Sequence, residues 1–180
     1  MTNWRHSTRG PWPIDRAETS ALLAVQQLLP WRWTVSFAKL LSLIGEHSAA
    51  WLALSTLALI LDEAHRPAWL AVLLGTAAAH IGATAVKLLV RRPRPRDERL
   101  QLLGSTMSSL SFPSSHCAGT AAFAAGAALV HPMLTLPSAL LVVLMTIARL
   151  RLAVHYPSDV LAGVALGVGC ALAAQWLIAV

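Results

Sequence analysis

The residues best suited to chemistry fall in three short clusters, each at the end of an apolar stretch. The clusters read KLLVRRPRP, FPSSH and RLRLAVHYPSD. Their ionisable side chains include Lys87, Arg94, His116, Arg149, His155 and Asp159. Two arginines and a lysine can hold a phosphate, because a guanidinium forks onto two of its oxygens. The set therefore favours chemistry on a phosphate group.

The two histidines supply the reactive groups for phosphoryl transfer. A histidine is a competent nucleophile when a third group orients it, and Asp159 lies four residues after His155, one helical turn away. His116 can protonate the leaving oxygen, and backbone amides at the start of its helix can bind an anion. These residues predict a phosphohistidine intermediate that water hydrolyses. Because no carboxylates cluster with them, we expect neither a metal nor another cofactor.

The composition indicates an integral membrane protein. Hydrophobic residues make up 56% of the 180-residue chain and charged residues 12%, against about 25% charged in soluble domains. The mean hydropathy is +0.61. Membrane lipids are the expected neighbours, and nucleic acid is not an expected partner. Cys117 and Cys170 both lie in apolar runs, so we expect buried thiols rather than a disulfide.

Five apolar runs predict an all-α, polytopic helix bundle with about five spanning helices, since a span needs about 20 mostly apolar residues. The runs are Ser48–Leu61, Ala68–Val90, Cys117–Val130, Leu134–Ile147 and Val160–Val180. The Cys117–Val130 run is short and rich in alanine and glycine, a composition that suits close helix packing.

The N-terminal part is expected to lie in the membrane interface. Glu18–Leu29 has an amphipathic pattern, and the polar residues before it lack the apolar core of a signal peptide. Residues 1–33 therefore form a predicted interfacial segment, and residues 34–180 form the membrane-embedded domain. Thr34–Ile44 predicts a short or re-entrant helix that ends at a break around Gly45.

The distribution of basic residues predicts the orientation. Alternating spans place the loop from Arg91 to Ser115 on the same face as the connection from Arg149 to Asp159. Of the 14 lysines and arginines, only Arg66 falls on the opposite face in this arrangement. Because basic residues near span ends stay inside, we expect the three clusters on the cytoplasmic face of the plasma membrane.

The three clusters, in this order, resemble the motifs of the type 2 phosphatidic acid phosphatase family. That family has Lys-x6-Arg-Pro, then Pro-Ser-Gly-His, then Ser-Arg-x5-His-x3-Asp. The resemblance implies a metal-independent histidine phosphatase that acts on lipid-linked phosphates. It assigns the nucleophile to His155, its partner to Asp159 and the general acid to His116. The implied phosphate-binding residues are Lys87, Arg94, Ser114, Ser115 and Arg149.

Two positions depart from the family pattern. Ser115 stands where the family has glycine, which changes the amide geometry or adds a hydroxyl. Ala148 stands where the family has a serine before the arginine, so one phosphate donor is missing. Neither change removes a catalytic group.

Several segments, including LSLIGEHSAAWLAL and HYPSDVLAGVALG, resemble a small actinobacterial branch of the family. That branch acts on a polyprenyl-linked phosphosugar in cell-wall arabinan synthesis, so this substrate is expected. Undecaprenyl pyrophosphate, phosphatidate and phosphatidylglycerol phosphate are the alternative substrates. Outside this class stand a lipid transporter or scaffold and a vanadate-dependent haloperoxidase, which hydropathy disfavours.

The remaining polar residues carry weaker expectations. Glu46 and His47 are candidates to face the substrate, because ionisable groups in membrane segments are often functional. His80 lies mid-span and is expected to hydrogen-bond to a neighbouring helix. The expected surface charges are Arg91, Arg92, Arg96 and Arg99. The expected solvated loop histidines are His6, His65 and His131.

Overall fold

The computed structural model describes residues 15–104 and 108–178, and these are almost entirely α-helical. The α helices of this part are α1 Asp15–Leu28, α2 Arg32–Ile44, α3 Ala49–Leu61, α4 Arg66–Val90, α5 Ser115–Val130, α6 Thr135–Arg151 and α7 Pro157–Ile178. The fold confirms the all-α prediction. The polar N-terminal stretch, with the absence of a signal peptide and the solvated His6 expected there, lies outside the described residues.

The helices α3 to α7 run alternately between two ends of the bundle. At one end, called the far end, His131 after α5 contacts Asp62 after α3, with 2.8 Å between Nε2 and Oδ2. At the same end Gln175 of α7 donates to the Ala68 carbonyl of α4. At the opposite end, called the site end, the Ser114 amide before α5 donates to the carbonyl oxygen of Asp159 in α7. This alternation is the one that the apolar runs predict.

By length and composition, three described helical segments are long and apolar enough to cross a membrane. They are Glu63–Val90, Pro132–Arg151 and Pro157–Ile178. Arg32–Ile44 and Glu46–Leu61 meet at 42° and add a fourth if they form one span. The helix α5 has 16 residues, shorter than the usual span of about 20.

The contacts of α2 indicate that it lies across the site end instead of crossing the bundle. Thr34 at its start accepts a hydrogen bond from Arg151, and Ser42 near its end accepts one from Arg149. Both arginines belong to the last turn of α6, so both ends of α2 lie at the same end of the bundle. The predicted break follows, with left-handed backbone at His47 (φ 52°) and Ser48 (φ 57°).

Small residues let α5 approach its neighbours closely, in particular α7. A Cβ added at Gly163 would collide with the Ser114 carbonyl, and one at Gly167 with the Ala118 carbonyl. Backbones can come this close only where a side chain is missing, which is a common device in membrane helix packing. The short central helix α5 therefore has a defined position relative to α7, which carries Asp159.

The helix α1 packs over the connections at the site end. Leu22 is fully buried in a cluster with Leu100, Ala153 and Tyr156. The Glu18 carboxylate accepts a hydrogen bond from the Ser158 amide at 2.7 Å. These contacts attach α1 to the loop after α4 and to the start of α7.

Candidate active site

A cavity of about 830 Å³ lies at the site end, and all three sequence clusters contribute to its wall. The predicted site residues on the wall are Glu46, His47, Lys87, Arg94, Ser115, His116, Arg149 and His155. Ser114 and Asp159 are buried behind this wall. The structure therefore brings together residues that lie up to 109 positions apart in the chain, from Glu46 to His155.

Ser114 is the N-cap residue of α5 and does not line the cavity. Its Oγ accepts a hydrogen bond from the Cys117 amide at 3.4 Å, which is the contact of an N-cap residue. Ser115, the first residue of α5, lines the cavity instead. The start of α5 thus points its free backbone amides toward the space where an anion would bind.

His155 lies in the connection just before α7, Asp159 lies in the first turn of α7, and both are buried. His155 Nδ1 is 3.6 Å from Asp159 Oδ2, and within the described residues it has no hydrogen-bond partner. This separation is longer than a hydrogen bond, as is common in catalytic pairs before substrate binds. The other nitrogen, Nε2, lies 3.4 Å from Arg94 Nη1.

His155 is held in its neutral form. Burial, reinforced by three nearby cations, keeps the pKa of His155 well below its usual range. A neutral imidazole with Nδ1 facing a carboxylate keeps its lone pair on Nε2. The geometry therefore presents Nε2 as the reactive atom on the side of Arg94.

Arg94 is held in place by backbone carbonyls. Nη1 donates to the Val154 carbonyl at 2.6 Å and Nε to the Ser108 carbonyl at 2.8 Å. Burial lowers the pKa of Arg94 to about 10, so the guanidinium stays charged at neutral pH. These contacts keep the guanidinium beside His155. Within the described residues Nη2 has no hydrogen-bond partner.

Arg149 and Lys87 bring two further cations to the wall. Arg149 is 3% exposed, and Nη1 donates to Ser42 Oγ at 2.8 Å. Its buried Nε has no hydrogen-bond partner within the described residues. Lys87 is 8% exposed and extends from the last turn of α4. Buried donors without partners are costly, so this wall is suited to receive an anion.

His116 lies in the first turn of α5 and contacts α2. Its Nε2 lies 3.1 Å from the Ser42 carbonyl oxygen, which only accepts, so Nε2 carries the proton. Nδ1 is then the atom available to the cavity. The Ser42 hydroxyl also accepts a hydrogen bond from Arg149. Ser42 of α2 therefore supplies a hydroxyl beside Arg149, where Ala148 stands in place of the serine of the family motif.

Arg92 is buried, although it was expected to be a surface charge. It is 4% exposed, and Nη1 donates to Asp159 Oδ1 at 2.8 Å. Nη2 binds Glu18 of α1, and the guanidinium stacks 4.1 Å from the centre of the Tyr156 ring. Arg92 points inward because α4 ends at Arg91 in a left-handed conformation (φ 52°), which turns the chain.

The other expected surface arginines are exposed as predicted: Arg91, Arg96 and Arg99. No local signal separates Arg92 from its neighbours, because the KLLVRRPRP run contains three arginines and the turn at Arg91 decides their directions.

Glu46 and His47, the candidates to face the substrate, lie at the break between α2 and α3 and line the cavity. His80 lines it too, and its Nδ1 is 3.2 Å from Ser48 Oγ. The expected hydrogen bond of His80 to a neighbouring element is therefore present. The His47 and His80 rings lie 6.1 Å apart, and together with Glu46 they form a second polar wall of the cavity.

Comparison with known proteins shows the family to which the chain belongs. The sequence matches the family model of the PAP2 superfamily over residues 68–179, more than half of the chain. The chain belongs to the PAP2 superfamily, and it is a multi-pass membrane phosphatase that acts on lipid phosphates.

The similar curated proteins are mycobacterial. The chain is 42% identical over 150 residues to a decaprenylphosphoryl-5-phosphoribose phosphatase of Mycolicibacterium smegmatis, covering 82% of both chains. It is 41% identical over 155 residues to the protein of the same name in Mycobacterium tuberculosis, covering 84% of this chain and 85% of the relative.

Two solved structures share the fold. One is the transmembrane PAP2 type phosphatidylglycerolphosphate phosphatase of Bacillus subtilis, with a TM-score of 0.71, 25% identity and coverage of 89% of this chain and 86% of that one. The other is LpxE of Aquifex aeolicus, with a TM-score of 0.71, 22% identity and coverage of 88% and 94%.

The contacts of Arg92 predict that it positions the buried acid without touching substrate. Arg92→Gln should lower kcat about tenfold to a hundredfold, because a hydrogen bond to a charged group contributes about 1.5–3 kcal/mol. KM should stay nearly unchanged, since Arg92 does not line the cavity. Steady-state phosphate release measures both constants, and Arg92→Lys should recover part of kcat.

The matched control is Arg91→Gln, because Arg91 is exposed and, within the described residues, its side chain donates only to the Leu88 carbonyl. Arg91→Gln should keep wild-type kcat and thermal stability. Wild-type kcat in Arg92→Gln would contradict a positioning role.

Proposed function

We propose that the chain hydrolyses the phosphomonoester of a polyprenyl-linked phosphosugar, decaprenylphosphoryl-5-phosphoribose or a close analogue. The observation that carries this proposal is the position of His155 Nε2, which lies beside Arg94 at a wall of three cations. The names of the mycobacterial relatives supply the substrate class.

In the proposed first step, the cations bind the phosphate and His155 Nε2 attacks phosphorus. A nitrogen–phosphorus bond forms while the bond from phosphorus to the sugar oxygen breaks. His116 enters this step protonated on both nitrogens, having taken up a proton from water when the phosphate anion binds beside it. It gives the Nδ1 proton to the leaving oxygen, while its Nε2–H stays bonded to the Ser42 carbonyl. Asp159 moves to hydrogen-bond His155 Nδ1–H and stabilises the positive charge that forms on the ring.

In the proposed second step, water attacks phosphorus and the nitrogen–phosphorus bond breaks. His116, now neutral at Nδ1, accepts the proton from that water. Inorganic phosphate leaves, and His155 returns to its starting form. The cations compensate the charge on the phosphoryl oxygens in both steps.

The shape of the cavity supports a lipid with a polar head larger than phosphate. Its volume of about 830 Å³ falls in the range of about 300–1,000 Å³ that is typical of small-molecule sites. Beyond the cations, Glu46, His47 and His80 offer hydrogen-bonding groups to sugar hydroxyls. Leu43 and Leu88 line the cavity and are exposed on the bundle surface, which suits an acyl or prenyl chain.

A substrate panel tests the proposal on the purified protein in detergent. The panel compares decaprenylphosphoryl-5-phosphoribose, undecaprenyl pyrophosphate, phosphatidate and phosphatidylglycerol phosphate by phosphate release, with His155→Gln as the blank. We expect kcat/KM to be at least about tenfold higher for the phosphoribose lipid, because hydrogen bonds to its hydroxyls contribute more than about 1.4 kcal/mol.

A variant on the second polar wall of the cavity tests whether this wall recognises the sugar. Glu46→Gln should lower kcat/KM for the phosphoribose lipid and leave phosphatidate nearly unchanged. Equal rates on all four lipids would contradict the sugar-specific proposal and leave a general lipid phosphatase. If the protein released phosphate from none of the four lipids but moved lipid across vesicle membranes, a transporter would be favoured.

We also propose that the site end is cytoplasmic, in the plasma membrane, with α1 in the interface above the cavity. The support is the charge bias, since Arg66 is the lone basic residue at the far end of the described part of the chain. The exposed Glu98 marks the site end, and Met133, 84% exposed, marks the far end.

A membrane-impermeant maleimide tests this orientation in whole cells, in a background with both native cysteines replaced by alanine. Met133→Cys should label in intact cells, whereas Glu98→Cys should label only after the cells are opened. The reverse pattern would place the site outside and overturn the proposed orientation.

A further inference from the structure

The far end of the bundle holds a group of three side chains that the catalytic site does not use. Asp62 follows α3, His65 precedes α4, and His131 follows α5. Both histidines were expected to be solvated loop residues. His65 is exposed, as expected, whereas His131 is only partly exposed, and helix packing brings both side chains to one carboxylate.

The three side chains offer metal ligands that converge on one point. His65 Nδ1 lies 2.9 Å from Asp62 Oδ1, and His131 Nε2 lies 2.8 Å from Asp62 Oδ2. One ligand atom from each residue lies within 4.8 Å of the other two. Adjacent ligands of a tetrahedral zinc ion, with bonds of about 2.0–2.1 Å, are about 3.3 Å apart, so small side-chain rotations admit the ion.

The surroundings of this group also fit a metal site. The Trp69 indole donates to Asp62 Oδ2 at 2.9 Å, the oxygen that also faces His131, and so orients the carboxylate. Asp62 is 26% exposed, His131 34% and His65 46%, so a hydrated ion can reach the group and keep water as a fourth ligand. The nearby Arg66 is paired with Glu63 at 2.9 Å.

We propose that Asp62, His65 and His131 form a binding site for one divalent transition-metal ion, with zinc as the best match to two imidazoles and one carboxylate. The ion links the α3–α4 connection to the α5–α6 connection. It lies at the end of the bundle opposite the cavity, so it takes no part in phosphate release. The proposal does not depend on the proposed substrate.

Calorimetric titration of the purified, EDTA-treated protein with Zn²⁺ tests the site. We expect one ion per chain and a higher melting temperature with zinc, because a ligand that binds only the folded state stabilises it. Co²⁺ should give the visible absorption of a tetrahedral site. His65→Gln, His131→Gln and Asp62→Asn should each weaken binding at least about tenfold.

Two controls separate this site from other histidines and from loss of folding. Glu63→Gln, at an exposed neighbour outside the group, and His155→Gln, in the cavity, should both keep wild-type zinc affinity. Phosphate release by the far-end variants reports that they are folded. Absence of stoichiometric binding, or unchanged affinity in all three variants, would overturn the proposal and leave a hydrogen-bonded cluster only.

Discussion

The buried carboxylate of Asp159 is the interaction on which the site depends. Its Oδ1 accepts from Arg92, and its Oδ2 accepts from the Tyr156 amide and faces His155. The backbone carbonyl of the same residue accepts from the Ser114 amide, which starts α5. One residue thus joins α7, the chain after α4, and the start of α5. Breaking such a buried pair by removing one partner typically costs about 3–5 kcal/mol.

Three positively charged side chains line one cavity near Asp159. Lys87, Arg94 and Arg149 repel one another, and each is tied to a different helix end or loop. Carbonyls of the loop and of the α6–α7 connection hold Arg94, while the Ser42 hydroxyl holds Arg149. Cations fixed in this way need little rearrangement when charge develops on a phosphate, which is how electrostatic catalysis works. The helix bundle supplies the rigidity.

Much of the site was predictable from the sequence. A spacing of four residues places His155 one helical turn from Asp159, and the alternation of the helices places the three clusters at one end of the bundle. The sequence did not predict the direction of Arg92, because a single left-handed residue after α4 decides it. The contact of His131 with Asp62 was equally hidden, since these residues lie 69 positions apart and meet only through packing. Ser114 takes the N-cap position of α5 and lies off the cavity wall, although the family resemblance implied a phosphate contact, because the backbone turn before α5 sets its direction.

The central claim is that His155 carries the phosphoryl group during turnover. Rapid mixing with substrate, an alkaline quench that preserves phosphohistidine, and peptide mass spectrometry test it most directly. We expect phosphate on the peptide that contains His155 and none in His155→Gln. With a substrate whose leaving group needs no proton, we expect more phosphohistidine in His116→Ala than in the wild type. Phosphate on another residue, or turnover in His155→Gln, would contradict it.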